Sequence, residues 1–252
     1  MSRLRIWTPL ILFSKSQHSG YGLRAPKLWD SYVALKKSVA IPIVSKEAKT
    51  MSEENRKSAL VPMYLDPEAQ GKERKTFICI GVPRGGTSAV AGLMQRLGIF
   101  MGEDLPNNYE DPEFIHKPPA HMKSVIEKRN QDHALWGWKF PAAANYLENI
   151  LPHVENPHLV VVFRDLVATM KAHMRWHNRN QLFAAHEIIL QQQKNWFLVE
   201  RWKVPTAMVS YEKAILAPNL FTHDMATFLG QPLPGEEQQQ EITEFLTPGR
   251  YK

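Results

Sequence analysis

Cysteine is all but missing from this 252-residue chain: the only one, Cys79, sits inside the apolar run Phe77-Ile78-Cys79-Ile80. One thiol cannot make an internal disulfide or complete a cysteine-rich zinc set, which excludes a disulfide scaffold and suits a reducing, cytoplasmic compartment. Sites built from histidine and carboxylate stay open. Long apolar runs are lacking as well. Ile6 to Phe13 is interrupted by Thr8 and Pro9 and falls far short of the ~20 residues that span a bilayer. It also lacks the small-residue cleavage site of a secretory signal. Acid is scarce at the start, where Asp30 is the only acidic residue among the first forty. That stretch, rich in Lys, Arg and Ser, reads as a weakly ordered arm, and its composition also fits an organellar transit peptide. Internal repeats and long basic helices are absent too. The net charge of +6 is scattered, so it points to an anionic small molecule rather than to nucleic acid, which would want a basic groove beside its aromatics.

The apolar fraction of 44% is ordinary, and the length fits one domain plus an arm. Residues 1–73 mix short apolar pieces with Lys, Ser, Glu and Pro, with one candidate helix over Trp29–Ser38, and are expected to form the arm. From residue 74 the character changes, so 74–252 is expected to be the domain. Thr76 to Val82 favours a strand, Pro83-Arg84-Gly85-Gly86 a turn, and Thr87 to Leu97 carries helical spacing at Val90, Leu93, Met94 and Leu97. Strand, glycine turn and helix open a βαβ unit.

Further strands are predicted at Ala134–Trp138, His158–Phe163 and Thr206–Val209. The wholly apolar Leu159–Phe163 fits a parallel strand covered on both faces. Helices are predicted over 112–128, 142–151, 165–177, 181–202 and 219–229, the last stopped by Gly230 and Pro232. In the 181–202 helix, Ile188, Ile189, Trp196, Phe197 and Val199 are expected to pack. The alternation predicts a three-layer α/β sandwich with a central, mainly parallel sheet.

Gly81-Val82-Pro83-Arg84-Gly85-Gly86-Thr87-Ser88 has the glycine spacing of a Walker A loop, with Thr87 where the lysine belongs. Glycines let several N–H groups turn inward, and the helix start adds positive charge, so such a loop holds phosphate. Arg84 adds a cation, and Thr87 and Ser88 add hydroxyls. The absent lysine argues against a nucleoside triphosphatase or a P-loop kinase, although the loop itself would suit either. Asp165 reads as a helix cap rather than a metal ligand. His173 and His177 lie four apart on one helix face, but the residues between them lack the zincin glutamate, so they read as ordinary helix residues. Trp136, Trp138, Trp196 and Trp202 are expected in the core or in a pocket wall.

Pro83–Ser88 resembles the 5′-phosphosulfate loop of the sulfotransferases. The likeness continues in order through Leu97–Glu103, Asn108-Tyr109-Glu110-Asp111-Pro112-Glu113-Phe114, Trp136-Gly137-Trp138-Lys139-Phe140-Pro141, Val161-Val162-Phe163-Arg164-Asp165, and Val209–Lys213 followed by Phe228-Leu229-Gly230. It spans roughly Thr76 to Gly230 and implies a P-loop NTPase-like fold. It also implies transfer of a sulfuryl group from 3′-phosphoadenosine 5′-phosphosulfate (PAPS), without a metal, to a hydroxyl or amine on a small or carbohydrate-like acceptor. On that resemblance Arg84, Gly85, Gly86, Thr87 and Ser88 bind the 5′-phosphosulfate and Arg164 the 3′-phosphate. Lys139 touches the transferring group. Glu110 is the first choice for the general base and His116 the second, and the acceptor pocket is expected in Gly102–Lys128. Two departures stand out. Ala172 occupies the place of the serine that commonly shares the 3′-phosphate, and Pro248-Gly249-Arg250 only hints at the family's basic C-terminal motif. A P-loop kinase or other phosphotransferase and a sulfotransferase-like protein that binds nucleotide without catalysis are therefore the two alternatives.

Overall fold

The computed structural model describes residues 57–177 and 180–248. The expected helix at 29–38, most of the expected arm, and Gly249 and Arg250 lie outside them. In chain order the elements are β1 (Leu60–Met63), α1 (Pro67–Gly71), β2 (Lys75–Ile80), α2 (Thr87–Arg96), α3 (Pro119–Asp132), β3 (Leu135–Lys139) and α4 (Leu147–Ile150). Then follow β4 (Pro157–Phe163), α5 (Leu166–His177), α6 (Gln181–Trp202), β5 (Thr206–Ser210), α7 (Tyr211–Leu216), α8 (Pro218–Leu229) and α9 (Glu236–Phe245).

The five strands form one sheet in the order β1-β5-β4-β2-β3. All neighbours are parallel except β1, which runs antiparallel to β5. Side chains alternate across the sheet and build a core on each face. Phe77 and Cys79 pack with Val90 and Met94 of α2 and Met225 of α8. Ile78 and Ile80 pack on the other side with Trp136, Trp138, Ile126 of α3 and Leu198 of α6. Each such buried side chain contributes roughly 1.5–3 kcal/mol. Two cores around one sheet make the three-layer sandwich that the alternation predicts. The close approach of β2 and β3 requires glycine at 137, where a Cβ would stand 2.1 Å from the Phe77 carbonyl oxygen.

Local signals explain most boundaries. Asp165 caps α5 as expected, accepting from the Ala168 N–H at 2.7 Å. Gly230 ends α8 in the left-handed region at φ 70°. The differences have local causes too. The boundary expected at 73 falls inside the sheet: Leu60 is buried and faces Val209 in the β1–β5 ladder. A four-residue strand containing Pro62 shows no usable alternation. The helix expected over 112–128 is a short turn at Pro112–Phe114 followed by α3, whose start is reset by Pro118-Pro119. The helix α9 had no apolar period to announce it; it is held by Ile242, Phe245 and the following Leu246, all in the core. One packing expectation is corrected. On α6, Ile188 and Val199 are buried, but Ile189, Trp196 and Phe197 face outward.

Candidate functional site

The chain leaves β2 at Ile80 and enters α2 at Thr87 through the loop Gly81–Gly86. Because β2 lies between β3 and β4, the order of strands reverses at this point. Such a reversal opens a crevice at the carboxyl ends of an open α/β sheet. The loop is sharply turned. Arg84 and Gly86 both adopt the left-handed region, at φ 63° and 89°, and the Gly85 N–H closes back on the Val82 carbonyl at 2.9 Å. A Cβ on Gly86 would come within 2.2 Å of the Tyr211 ring, and one on Gly85 within 2.8 Å of the Val82 carbonyl oxygen. Both glycines are therefore sterically required. No side chain caps α2, whose N-cap is Gly86 itself. That arrangement leaves the helix start facing the crevice with its positive end. Thr87 is buried, and the Ser88 hydroxyl donates to the Asn108 carbonyl at 3.0 Å.

Lys139, the last residue of β3, carries its ammonium to the same place. Its Nζ donates to Glu110 Oε1 at 2.8 Å, to the Asn108 carbonyl at 3.0 Å and to the Ser88 Oγ at 3.5 Å. Burial lowers the Lys139 pKa from the ordinary lysine value, and the Glu110 carboxylate partly restores it. The 108–110 segment is anchored by the next residue, since the buried Asp111 carboxylate pairs with Arg129 of α3. Glu110 and Lys139, 29 residues apart in sequence, are thus neighbours. His116 hydrogen-bonds to neither. It is exposed, and its ring meets the Phe140 ring edge-on at 6.0 Å.

Arg164 follows the carboxyl end of β4. Its Nη1 donates to the Arg84 carbonyl at 2.9 Å, and its guanidinium lies 4.7 Å over the Tyr211 ring. The Glu212 carboxylate is 4.0 Å from Nε, and that buried nitrogen has no hydrogen-bond partner among the described residues. On α5, Ala172 brings no hydroxyl. The Thr169 hydroxyl cannot replace one, because it donates into its own helix at the Asp165 carbonyl, 2.8 Å away.

Two contributors to the loop escaped the sequence reading. Asn195, buried on the inner face of α6, donates its Nδ2 to the Gly81 carbonyl at 2.7 Å. Its signal is a single polar residue among the inward positions Ile188, Leu198 and Val199. Tyr211 lies within the late motif but showed no role until its ring met Gly86. A cavity of about 380 Å³ adjoins the loop, with Pro83, Ala142, His173, Glu187, Gln191 and Lys194 among its walls. Its walls come from α5, α6, Pro83 and Ala142. The His177 side chain falls outside the description, and His173 is a buried wall residue of this cavity.

Solved structures similar to this chain include sulfotransferase STF9 from Mycobacterium avium, at 12% identity and a TM-score of 0.49, covering 71% of this chain and 70% of that one. A mouse sulfotransferase complexed with PAP matches at 13% identity and a TM-score of 0.48, covering 71% and 67%. The sulfotransferase domain of a Synechococcus olefin synthase matches at 15% and 0.48, covering 68% and 78%. No family model matches the chain, and neither does any curated protein. Among the described residues no helix is long and apolar enough to cross a membrane.

Proposed function

We propose that this chain is a PAPS-dependent sulfotransferase acting on a hydroxyl or amine of a small or carbohydrate-like acceptor. The observation that carries the reading is the gathering of Lys139 and Arg164, from the ends of β3 and β4, on either side of the glycine loop after β2. A loop with two sterically required glycines and an uncapped helix start suits a phosphate-bearing group. The buried Arg164 Nε, without a hydrogen-bond partner among the described residues, suits a further anionic oxygen.

The donor would supply an activated sulfuryl group with adenosine 3′,5′-bisphosphate as its leaving group. Arg84, Gly85, Gly86, Thr87 and Ser88 would hold its 5′ end and Arg164 its 3′-phosphate. Lys139 would stabilise the negative charge that gathers on the leaving oxygen, and its burial strengthens that interaction. Glu110 is more exposed than Lys139, 22% against 2%, so its carboxylate reaches the solvent side and is available to take a proton from an arriving acceptor. The cavity beside Pro83 offers that acceptor both apolar and polar walls. Thr87 in the lysine position disfavours a kinase. The single buried thiol Cys79 is consistent with a cytoplasmic setting.

The test is thermal denaturation with adenosine 3′,5′-bisphosphate, without metal, against ATP with magnesium. A ligand that binds only the folded state stabilises it by ~2.7 kcal/mol at a hundredfold excess over its dissociation constant. The expected result is a shift with the bisphosphate alone. A shift only with ATP and magnesium would overturn the reading in favour of a phosphotransferase. Binding without transfer of labelled sulfur to any of a panel of sugars and amines would favour a non-catalytic protein.

A further inference from the structure

The helix α6 is apolar on two opposite faces. One is buried, through Ala184, Ile188, Leu198 and Val199, the last two in the core beside the sheet. The other is open: Leu182 is 82% exposed, and Ile189, Leu190, Trp196 and Phe197 are 38–49% exposed. In sequence these belong to adjacent apolar pairs, Leu182-Phe183, Ile189-Leu190 and Trp196-Phe197, repeated every seven residues. A seven-residue spacing keeps a stripe on one side of a helix and is the spacing that a second helix reads. The pattern is also the same from either end, with its midpoint between Ile189 and Leu190.

We infer that this stripe is a two-fold contact between two copies of the chain, with the α6 helices antiparallel. An isologous interface needs a self-complementary surface, and a pattern symmetric about its own midpoint meets that need. About that midpoint Ile189 faces Leu190 of the second copy, Leu182 faces Phe197, and the polar layer places His186 opposite Gln193. The five exposed side chains carry about 500 Å² of apolar surface per copy, hence ~1,000 Å² for a pair, which reaches the lower bound of a specific interface. Trp196 is of the residue type that most often dominates such contacts.

A membrane surface is the less suitable occupant. An interfacial helix is flanked by cations, whereas α6 carries Lys194 and Arg201 balanced by Glu187 and Glu200. Both cations also turn to their own chain, Lys194 to Asn145 and Arg201 to Glu148.

Sedimentation equilibrium of the full chain tests the inference. The expected result is a dimer at ~50 μM that dissociates on dilution, as suits an interface near the lower size bound. Ile189→Glu and Leu190→Lys, each alone, should be monomeric with an unchanged melting temperature. Mixed, they should recover dimer mass, because Glu at 189 then faces Lys at 190 of the other copy. A wild-type monomer at this concentration would overturn the inference, and so would a dimer that survives both substitutions. Binding of the wild-type monomer to anionic phospholipid vesicles, lost in Ile189→Glu, would assign the stripe to lipid instead.

Discussion

The Lys139 ammonium stands 2.8 Å from Glu110 Oε1, so a nearly inaccessible cation is balanced by a partly exposed carboxylate. Burial and Glu110 act on the lysine in opposite directions. Below its folded-state pKa Lys139 is charged, and on the proposed function it would stabilise a leaving oxygen; above that pKa the charge is lost. If Lys139 acts in this way, the alkaline limb of the pH–rate profile should fall below the usual lysine range, because burial lowers the Lys139 pKa.

Glu110→Gln removes the influence that raises the Lys139 pKa, so the alkaline limb should move to still lower pH. Turnover should also fall by ~100-fold or more if Glu110 takes the acceptor's proton, while bisphosphate affinity stays within about twofold, given that an isosteric amide replaces a group that is not a phosphate donor. The pH–rate profile and isothermal titration check both parts. An unmoved limb would uncouple the two residues, and unchanged turnover would bring His116 forward as the base.

Gly86→Ala should weaken bisphosphate binding and lower the melting temperature. An L-residue in the left-handed region costs ~1–2 kcal/mol, and here its Cβ also meets the Tyr211 ring. Gly86→Ala with Tyr211→Ala should recover the steric part of the loss but not the backbone part. Comparing the single and double variants by thermal melts separates the two.

Asn195→Leu keeps the approximate volume but leaves the Gly81 carbonyl without its side-chain donor. Leaving a buried acceptor unsatisfied costs ~1–3 kcal/mol. Since that carbonyl opens the loop, binding of the bisphosphate should weaken as well. Denaturant unfolding and titration would show it; intact affinity would mean the loop holds its shape without α6.

His158 predicts an acid weakness. It is fully buried at the start of β4, between the Phe77 and Phe228 rings, with Nδ1–H donating to the Asn156 carbonyl and no partner for Nε2 among the described residues. Burial, with nearby Lys75 adding to it, lowers its pKa from 6.5 to about 4. The unfolded chain then binds more protons between those values, so stability is present at neutral pH and falls as pH drops from 6.5 towards 4. The loss amounts to about 3 kcal/mol at most. His158→Leu should flatten the melting temperature over that window.

The sandwich was legible because its causes are local. Leu159–Val162 is apolar whichever strands adjoin it, Gly230 stops a helix by its own conformation, and Asp165 caps the helix that begins beside it. The glycine loop could be read for the same reason, since its turn needs glycine within a few residues of one strand and one helix. The arrangement around it depends on residues distant in the chain. Asn195 meets Gly81 across 114 positions, and β1 finds its register only against β5. No local spacing encodes such meetings, because they follow from which faces the sheet order brings together. The same applies to α6. Its apolar residues occur on two sides of the helix, and only tertiary packing decided that Ile188 is buried and Ile189 exposed.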